Sequence, residues 1–141
     1  MTARGGELRA RDAMVTEPLA LEVSATAQEA GQALARPDVR AVLVCEEGRL
    51  VGVITRKTLV REVVAPGRDP RATTLREIAE EPIATIESDM LLAEAFGVLE
   101  ERDLERVPVV EAGKLVGVLS RAVVQRRLAE DEPPPEPETE G

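Results

Sequence analysis

Nine consecutive residues, Gly48-Arg49-Leu50-Val51-Gly52-Val53-Ile54-Thr55-Arg56, return 65 positions later as Gly113-Lys114-Leu115-Val116-Gly117-Val118-Leu119-Ser120-Arg121. A chain that repeats itself at a fixed spacing is built of like units, and a site in it can lie between the units rather than inside one. The same offset places Leu34 on Leu99, Asp38 on Asp103, Val42 on Val107, Val44 on Val109, Glu46 on Glu111 and Gly52 on Gly117. Upstream, Pro18 meets Pro82 at an offset of 64, which reads as one residue gained or lost in the loop that follows. Units of about 55 to 65 residues are marginal alone, so the two are expected to bury a shared core.

Composition removes several function classes. The chain of 141 residues is 43% hydrophobic, but its apolar residues are mostly Val, Leu, Ile and Ala, with Phe96 the sole aromatic. Single-stranded nucleic-acid binders rely on aromatic platforms and basic grooves, whereas this chain has net charge −9 and pI near 4.7. Nucleic acid is therefore not an expected partner. No apolar run reaches the roughly 20 residues that span a bilayer, and residues 1–11 are polar and charged, so the expected location is the cytoplasm with no membrane contact. Cys45 stands alone in a Val/Leu run and reads as a buried filler. The absence of histidine removes the usual general base and the commonest transition-metal ligand. With no nucleophile–base pair, metal-ligand cluster or Walker-type loop, the chain is not expected to be an enzyme or to hold a metal. The adjacent carboxylates Glu46/Glu47 and Glu80/Glu81 read as solvated turn residues.

Each unit starts with an extended segment, residues 19–23 and 83–87, and passes to a helix of 3.6-residue period ending near residues 36 and 102. In the second helix Leu91, Leu92, Ala95, Val98 and Leu99 form the packing stripe, with Phe96 beside it. Ser24 or Thr26 caps the first helix, with Glu29 completing a capping box from Thr26; Ser88 or Asp89 is expected to cap the second. Hairpins follow, pairing 41–45 with 49–54 and 107–110 with 114–119 across turns that contain Gly48 and Gly113. Thr55 and Ser120 then stand as N-caps of each unit's last helix. A helix N-terminus with unpaired amides attracts anions, and Arg56, Lys57 and Arg121 add charge there. The expected boundaries are an N-terminal segment 1–11, a first repeat 12–64, a turn-rich linker 65–74, a second repeat 75–130 and a disordered Pro/Glu tail 131–141.

The β-α-β-β-α order, the paired hairpins and the Gly-hydrophobic-hydrophobic-Thr/Ser ending resemble a tandem cystathionine-β-synthase (CBS) domain pair, or Bateman module, over residues 12–130. The resemblance implies an α+β fold of two β-α-β-β-α CBS repeats, packed with pseudo-twofold symmetry through their sheets. It further implies two clefts for an adenine nucleotide or adenosyl compound: AMP, ADP, ATP, NAD or S-adenosylmethionine. No cofactor is required for the fold. One candidate cleft combines Val53, Thr55, Arg56 and Thr58 of the first unit with Glu80, Ile83, Leu104, Glu105 and Arg106 of the second. The other combines Thr16, Leu19, Val39, Arg40 and Ala41 of the first with Val118, Ser120, Arg121 and Val123 of the second. In such modules strand backbones read the adenine edge, apolar side chains sandwich the ring, and the capping hydroxyl meets ribose or phosphate.

Nucleotide-binding members carry an acidic residue three positions after the Thr/Ser, where it accepts from both ribose hydroxyls; here those positions are Thr58 and Val123. Losing a charged acceptor for a hydroxyl removes about 1.5–3 kcal/mol, or roughly ten- to hundredfold in affinity. Glu80 and Glu105 oppose a phosphate, and Arg106 is expected to offset them. Two functions stay open. One is a stand-alone regulatory module that senses an adenosyl ligand and acts on a partner protein or an assembly state. The other is a ligand-independent dimerisation or scaffold module. On either reading the chain is expected to form a homodimer, helices facing a second copy.

Overall fold

The computed structural model describes residues 8–131. The expected tail beyond Asp131, and the start of the N-terminal segment, lie outside the described residues. The first unit contains α1 (Ala10–Ala13), β1 (Ala20–Glu22), α2 (Ala27–Leu34), β2 (Ala41–Glu46), β3 (Arg49–Thr55) and α3 (Arg56–Leu59). A π-helical turn, Val60–Val64, extends α3. The second contains α4 (Leu75–Ile78), β4 (Ile86–Glu87), α5 (Leu92–Glu101), β5 (Arg106–Glu111), β6 (Lys114–Ser120) and α6 (Arg121–Asp131). Within each unit the short first strand pairs parallel to the second, and the second and third form an antiparallel hairpin.

The hairpins turn through Glu47-Gly48 and Ala112-Gly113, all four at positive φ between 52° and 84°. Such a turn matches the right-handed twist of the strands that it joins. At these tips the two sheets meet. Leu50 N–H donates to Gly113 O at 3.1 Å, and Leu115 N–H to Gly48 O at 2.9 Å, the same bond repeated with the units exchanged. The joined sheet has the order β1-β2-β3-β6-β5-β4.

The leading helix of each unit leaves its own unit and packs in the other. Leu8, Ala10 and Ala13 belong to the core that contains Ile86, Leu92, Leu99, Val107 and Leu119. Leu75 and Ile78 belong to the core of Val23, Ala30, Leu34, Val42 and Ile54. Backbone bonds fix the exchange symmetrically: Ala10 N–H to Met90 O (2.8 Å), Arg11 N–H to Ser88 O (3.0 Å) and Leu92 N–H to Leu8 O (2.7 Å). Their counterparts, 65 positions apart, are Leu75 N–H to Ala25 O (2.9 Å), Arg76 N–H to Val23 O (3.0 Å) and Ala27 N–H to Thr73 O (2.8 Å). A helix of four residues closes too few hydrogen bonds to persist alone; here the other unit's core holds it.

The offset of 65 therefore holds on both sides of the Pro18/Pro82 loop, and no residue is gained or lost there. The loops instead turn differently. Glu17 sits at φ 57°, a conformation closed to the proline, Pro82, at the matching position.

Two capping expectations separate. Thr26 Oγ1 accepts from Glu29 N–H at 3.2 Å, and Glu29 Oε2 accepts from Thr26 N–H at 3.1 Å, the capping box expected for α2. In the second unit neither Ser88 nor Asp89 caps: Leu91 holds the N-cap position of α5 with no side-chain bond. Ser88 Oγ bonds Glu111 Oε2 at 3.2 Å instead, and the Leu92 amide is met by the crossing chain at Leu8.

Candidate functional site

The exchanged segments run on past their helices and lie along the last strand of the other unit, β3 or β6. Val53 and Glu80 exchange two backbone bonds, at 2.8 and 3.0 Å, and Val15 and Val118 exchange two at 2.9 and 3.0 Å. Each of these strands is thus flanked by chain from the opposite repeat, and both units stand beside the cleft mouths expected at Thr55 and Ser120. This close approach explains the repeated glycine of the motif. A Cβ on Gly52 would lie 2.7 Å from Ala79 Cβ, and one on Gly117 would lie 2.9 Å from Val15 O.

At the first mouth Thr55 caps α3. Thr58 N–H donates to Thr55 Oγ1 (3.3 Å), Thr55 N–H donates to Thr58 Oγ1 (3.1 Å), and the hydroxyls lie 3.0 Å apart. Thr58 is fully buried, so its hydroxyl is spent inside this box. Beside it, Ala41 pairs with Thr55 in the hairpin, which brings the entry of β2 at Val39 and Arg40 to the same strand end. Apolar Ile83 stands exposed on the crossing side.

At the second mouth Ser120 ends β6 opposite Arg106 and immediately precedes α6. Arg121 N–H donates to Glu105 O at 2.8 Å, which ties Leu104 and Glu105 to this end. Thr16 and Leu19 follow Val15 on the crossing segment, and Leu19 O accepts from Leu43 N–H as β1 begins. Val123, half-buried, brings no polar atom. Among the described residues, no hydrogen bond links the entry at Leu104, Glu105 and Arg106 to Thr55 or Thr58, or that at Val39, Arg40 and Ala41 to Ser120.

Both arginines expected to add charge for a phosphate are otherwise engaged. The Arg56 guanidinium donates to Leu34 O (2.5 Å) and Arg36 O (2.9 Å), closing the carbonyl end of α2. Arg121 turns to Asp103 (3.5 Å) and Glu100 (3.9 Å) at the end of α5. A helix C-terminus presents unsatisfied carbonyls, which Arg56 meets directly, whereas Arg121 is held by side-chain carboxylates. The neutralisation of Glu80 is also different from expectation: its carboxylate pairs with Arg61 of the π-helical turn rather than with Arg106.

The residues that sequence reasoning missed are Met14, Val15 and Ala79, which carry the crossing chain over the glycines. Their signal was present in the pattern Leu8, Ala10, Ala13 and its image Thr73, Leu75, Ile78, apolar or small and 65 positions apart. Cys45 is buried, and burial together with Glu22 pushes its thiol up.

These features define a two-repeat module whose repeats exchange their leading segments. The CBS domain family matches residues 10–65 and 75–130, and the chain belongs to that family. It is 31% identical over 122 residues to Hypoxic response protein 1 of Mycobacterium tuberculosis, covering 86% of this chain and 85% of that one. A crystal structure of Hypoxic Response Protein I with two coordinated zinc ions superposes with TM-score 0.72 at 30% identity, covering 84% of this chain and 98% of that chain. The cytosolic domain of the Mg2+ channel MgtE in complex with ATP superposes with TM-score 0.69 at 28% identity, covering 85% of this chain and 48% of that chain. Zinc has no matching donor set here: the chain lacks histidine, Cys45 is buried, and no cluster of three or more ligating side chains occurs among the described residues. No helix among the described residues is long and apolar enough to cross a membrane.

Proposed function

We propose that this chain is a regulatory module of the cytoplasm, without catalysis of its own, that senses an adenine nucleotide or adenosyl compound between its repeats. Its output is a change in a partner protein or in its own assembly as a homodimer. The observation that carries this reading is the reciprocal crossing at Val15/Val118 and Val53/Glu80. A ligand seated at either mouth would touch both repeats and so shift their packing. The likeness, at 28% identity, to the cytosolic domain of MgtE in complex with ATP supports the ligand class. Thr55 and Val53 with Ile83, and Ser120 and Val118 with Leu19, supply the polar and apolar contacts. With Arg56 engaged on the end of α2 and Arg121 on carboxylates, adenine contributes more to binding than phosphate does.

A second reading, a ligand-independent dimerisation or scaffold module, is favoured by one observation. Neither mouth has a free acceptor three positions after its Thr/Ser, since Thr58 is locked in the capping box and Val123 is apolar. A thermal-shift panel with AMP, ADP, ATP, NAD and S-adenosylmethionine separates the two. A ligand at 100 times its dissociation constant adds about 2.7 kcal/mol to stability, so the sensing module should show a raised melting midpoint with at least one compound. Unchanged midpoints with all five at millimolar concentration leave the scaffold.

A further inference from the structure

The two strand-to-helix junctions differ in charge where the repeats are otherwise alike. Around Thr55, Arg36 and Arg40 stand at the approach to β2, and Arg56 and Lys57 open α3, four cations against the one carboxylate of Asp38. At the residues 65 positions on, three cations, Arg102, Arg106 and Arg121, stand against three carboxylates, Glu101, Asp103 and Glu105. Arg40 is matched by Glu105 and Lys57 by Ala122. The fold gathers the first set. Ala41, next to Arg40, pairs with Thr55, and the Arg56 guanidinium reaches Arg36 O at 2.9 Å. Its carbonyl partners are neutral and leave its charge in place. Among the described residues Arg40, Arg56 and Lys57 make no ion pair, whereas Arg121 has both Asp103 at 3.5 Å and Glu100 at 3.9 Å. The crossing chain does not cancel the difference. Glu80 is paired with Arg61, and each crossing segment then adds one carboxylate, Glu81 or Glu17. In the second repeat Arg126, in the place of Arg61, and Glu100, in the place of Ala35, offset each other.

We propose that charge sorts the ligands of the two mouths: the one at Thr55 takes a phosphate-bearing adenosine compound, and the one at Ser120 disfavours it. The inference rests on the sensing reading above and adds a selectivity to it. In a chain of net charge −9, cations gathered at one strand end without counter-charges repel one another, and an anion held among them relieves that repulsion. At the matched end the charge of Arg121 is already answered, and Glu105 stands where Arg40 would draw a phosphate in. The selection comes from the summed field of the cluster, so it does not require Arg56 to leave the end of α2, and salt weakens it. Adenine contacts supply most of the affinity at either mouth. Charge decides which mouth a nucleotide fills, one per chain.

Calorimetric titration of the full chain with AMP and with adenosine tests this, in the parent and in two variants that exchange matched residues, Arg40→Glu/Lys57→Ala and Glu105→Arg/Ala122→Lys. All four positions are exposed. The readout is the ratio of AMP affinity to adenosine affinity, in which a loss common to both ligands cancels. The parent is expected to bind one equivalent of AMP more tightly than adenosine, with the ratio falling as salt rises. Arg40→Glu/Lys57→Ala should lower the ratio about tenfold at low salt, and Glu105→Arg/Ala122→Lys should admit a second equivalent of AMP. A parent that binds neither compound overturns the sensing reading and this proposal with it. Binding with a ratio unmoved by Arg40→Glu/Lys57→Ala, or two equal AMP sites in the parent, overturns the charge sorting alone.

Discussion

A methyl group at Gly52 would stand 2.7 Å from Ala79 Cβ and 3.1 Å from Glu80 O, neither of which can move without the crossing chain. Gly52→Ala is therefore expected to cost about 1–3 kcal/mol in denaturant unfolding, as overpacking does. Gly97, with nothing within 4 Å of its added Cβ and an interior helix position, should gain up to about 1 kcal/mol on substitution by alanine. Equal stability for the two variants would mean that the crossing chain is not held at Gly52. At the second hairpin tip Ala112 occupies positive φ, 52°, where an L side chain is strained by about 1–2 kcal/mol and asparagine less so. Ala112→Asn should raise the unfolding midpoint. The repeated glycine was plain in the sequence as a motif, but its cause was not, because the atoms that demand it lie in the other repeat. A third expectation concerns ligand: Val123→Asp restores an acceptor three positions after Ser120 and should tighten adenosine-compound binding about tenfold in calorimetry. Unchanged affinity contradicts the ribose placement. Thr58→Asp is the poorer test, since it forces a carboxylate into a fully buried site.

Among the elements, α4 shows how a four-residue helix becomes part of a foreign core. Leu75 and Ile78 are buried, the Thr74–Glu77 box closes its start (Thr74 N–H to Glu77 Oε2, 2.7 Å), and Arg76 pairs with Glu46 at the end of β2. The hydrogen bond and charge of Arg76 hold the Glu46 carboxyl below its usual range. The Thr74 backbone N–H, ahead of Arg68, does the same for Glu77. Carboxyls whose pKa is depressed by folding contribute stability above the ordinary carboxylate pKa, about 4.3, and lose it as pH falls through the folded value. Melting midpoints should therefore drop on acidification below about pH 4, and Glu46→Gln/Glu77→Gln should flatten that dependence. A parent and a double variant with parallel profiles would refute the assignment. Long periodic helices and both hairpins were legible because each carries its own signal over many residues. The helices α1 and α4 were not, since four residues show no period and their burial is supplied by the other unit. The cap of α5 was misread for the same reason, its amide being met by Leu8 rather than by Ser88 or Asp89.

For the molecule as a whole, the 65-residue duplication was visible and carried the two-unit architecture with it. The interlock was hidden, and so were the true partners of Arg56, Arg121 and Glu80, because a charge in a sequence does not say which carbonyl or counter-charge the fold brings to it. Two cores that each contain a helix of the other repeat cannot melt separately without tearing six matched backbone bonds. Hydrogen exchange through a denaturant titration reads this directly, with the amides of Val42 and Val44 reporting the first core and those of Val107 and Val109 the second. Interlocked repeats should lose protection in both at one midpoint and with one opening free energy. Two separated transitions, with the first core open while the second stays protected or the reverse, would contradict the interlock and with it the shared mouths on which the proposed sensing depends.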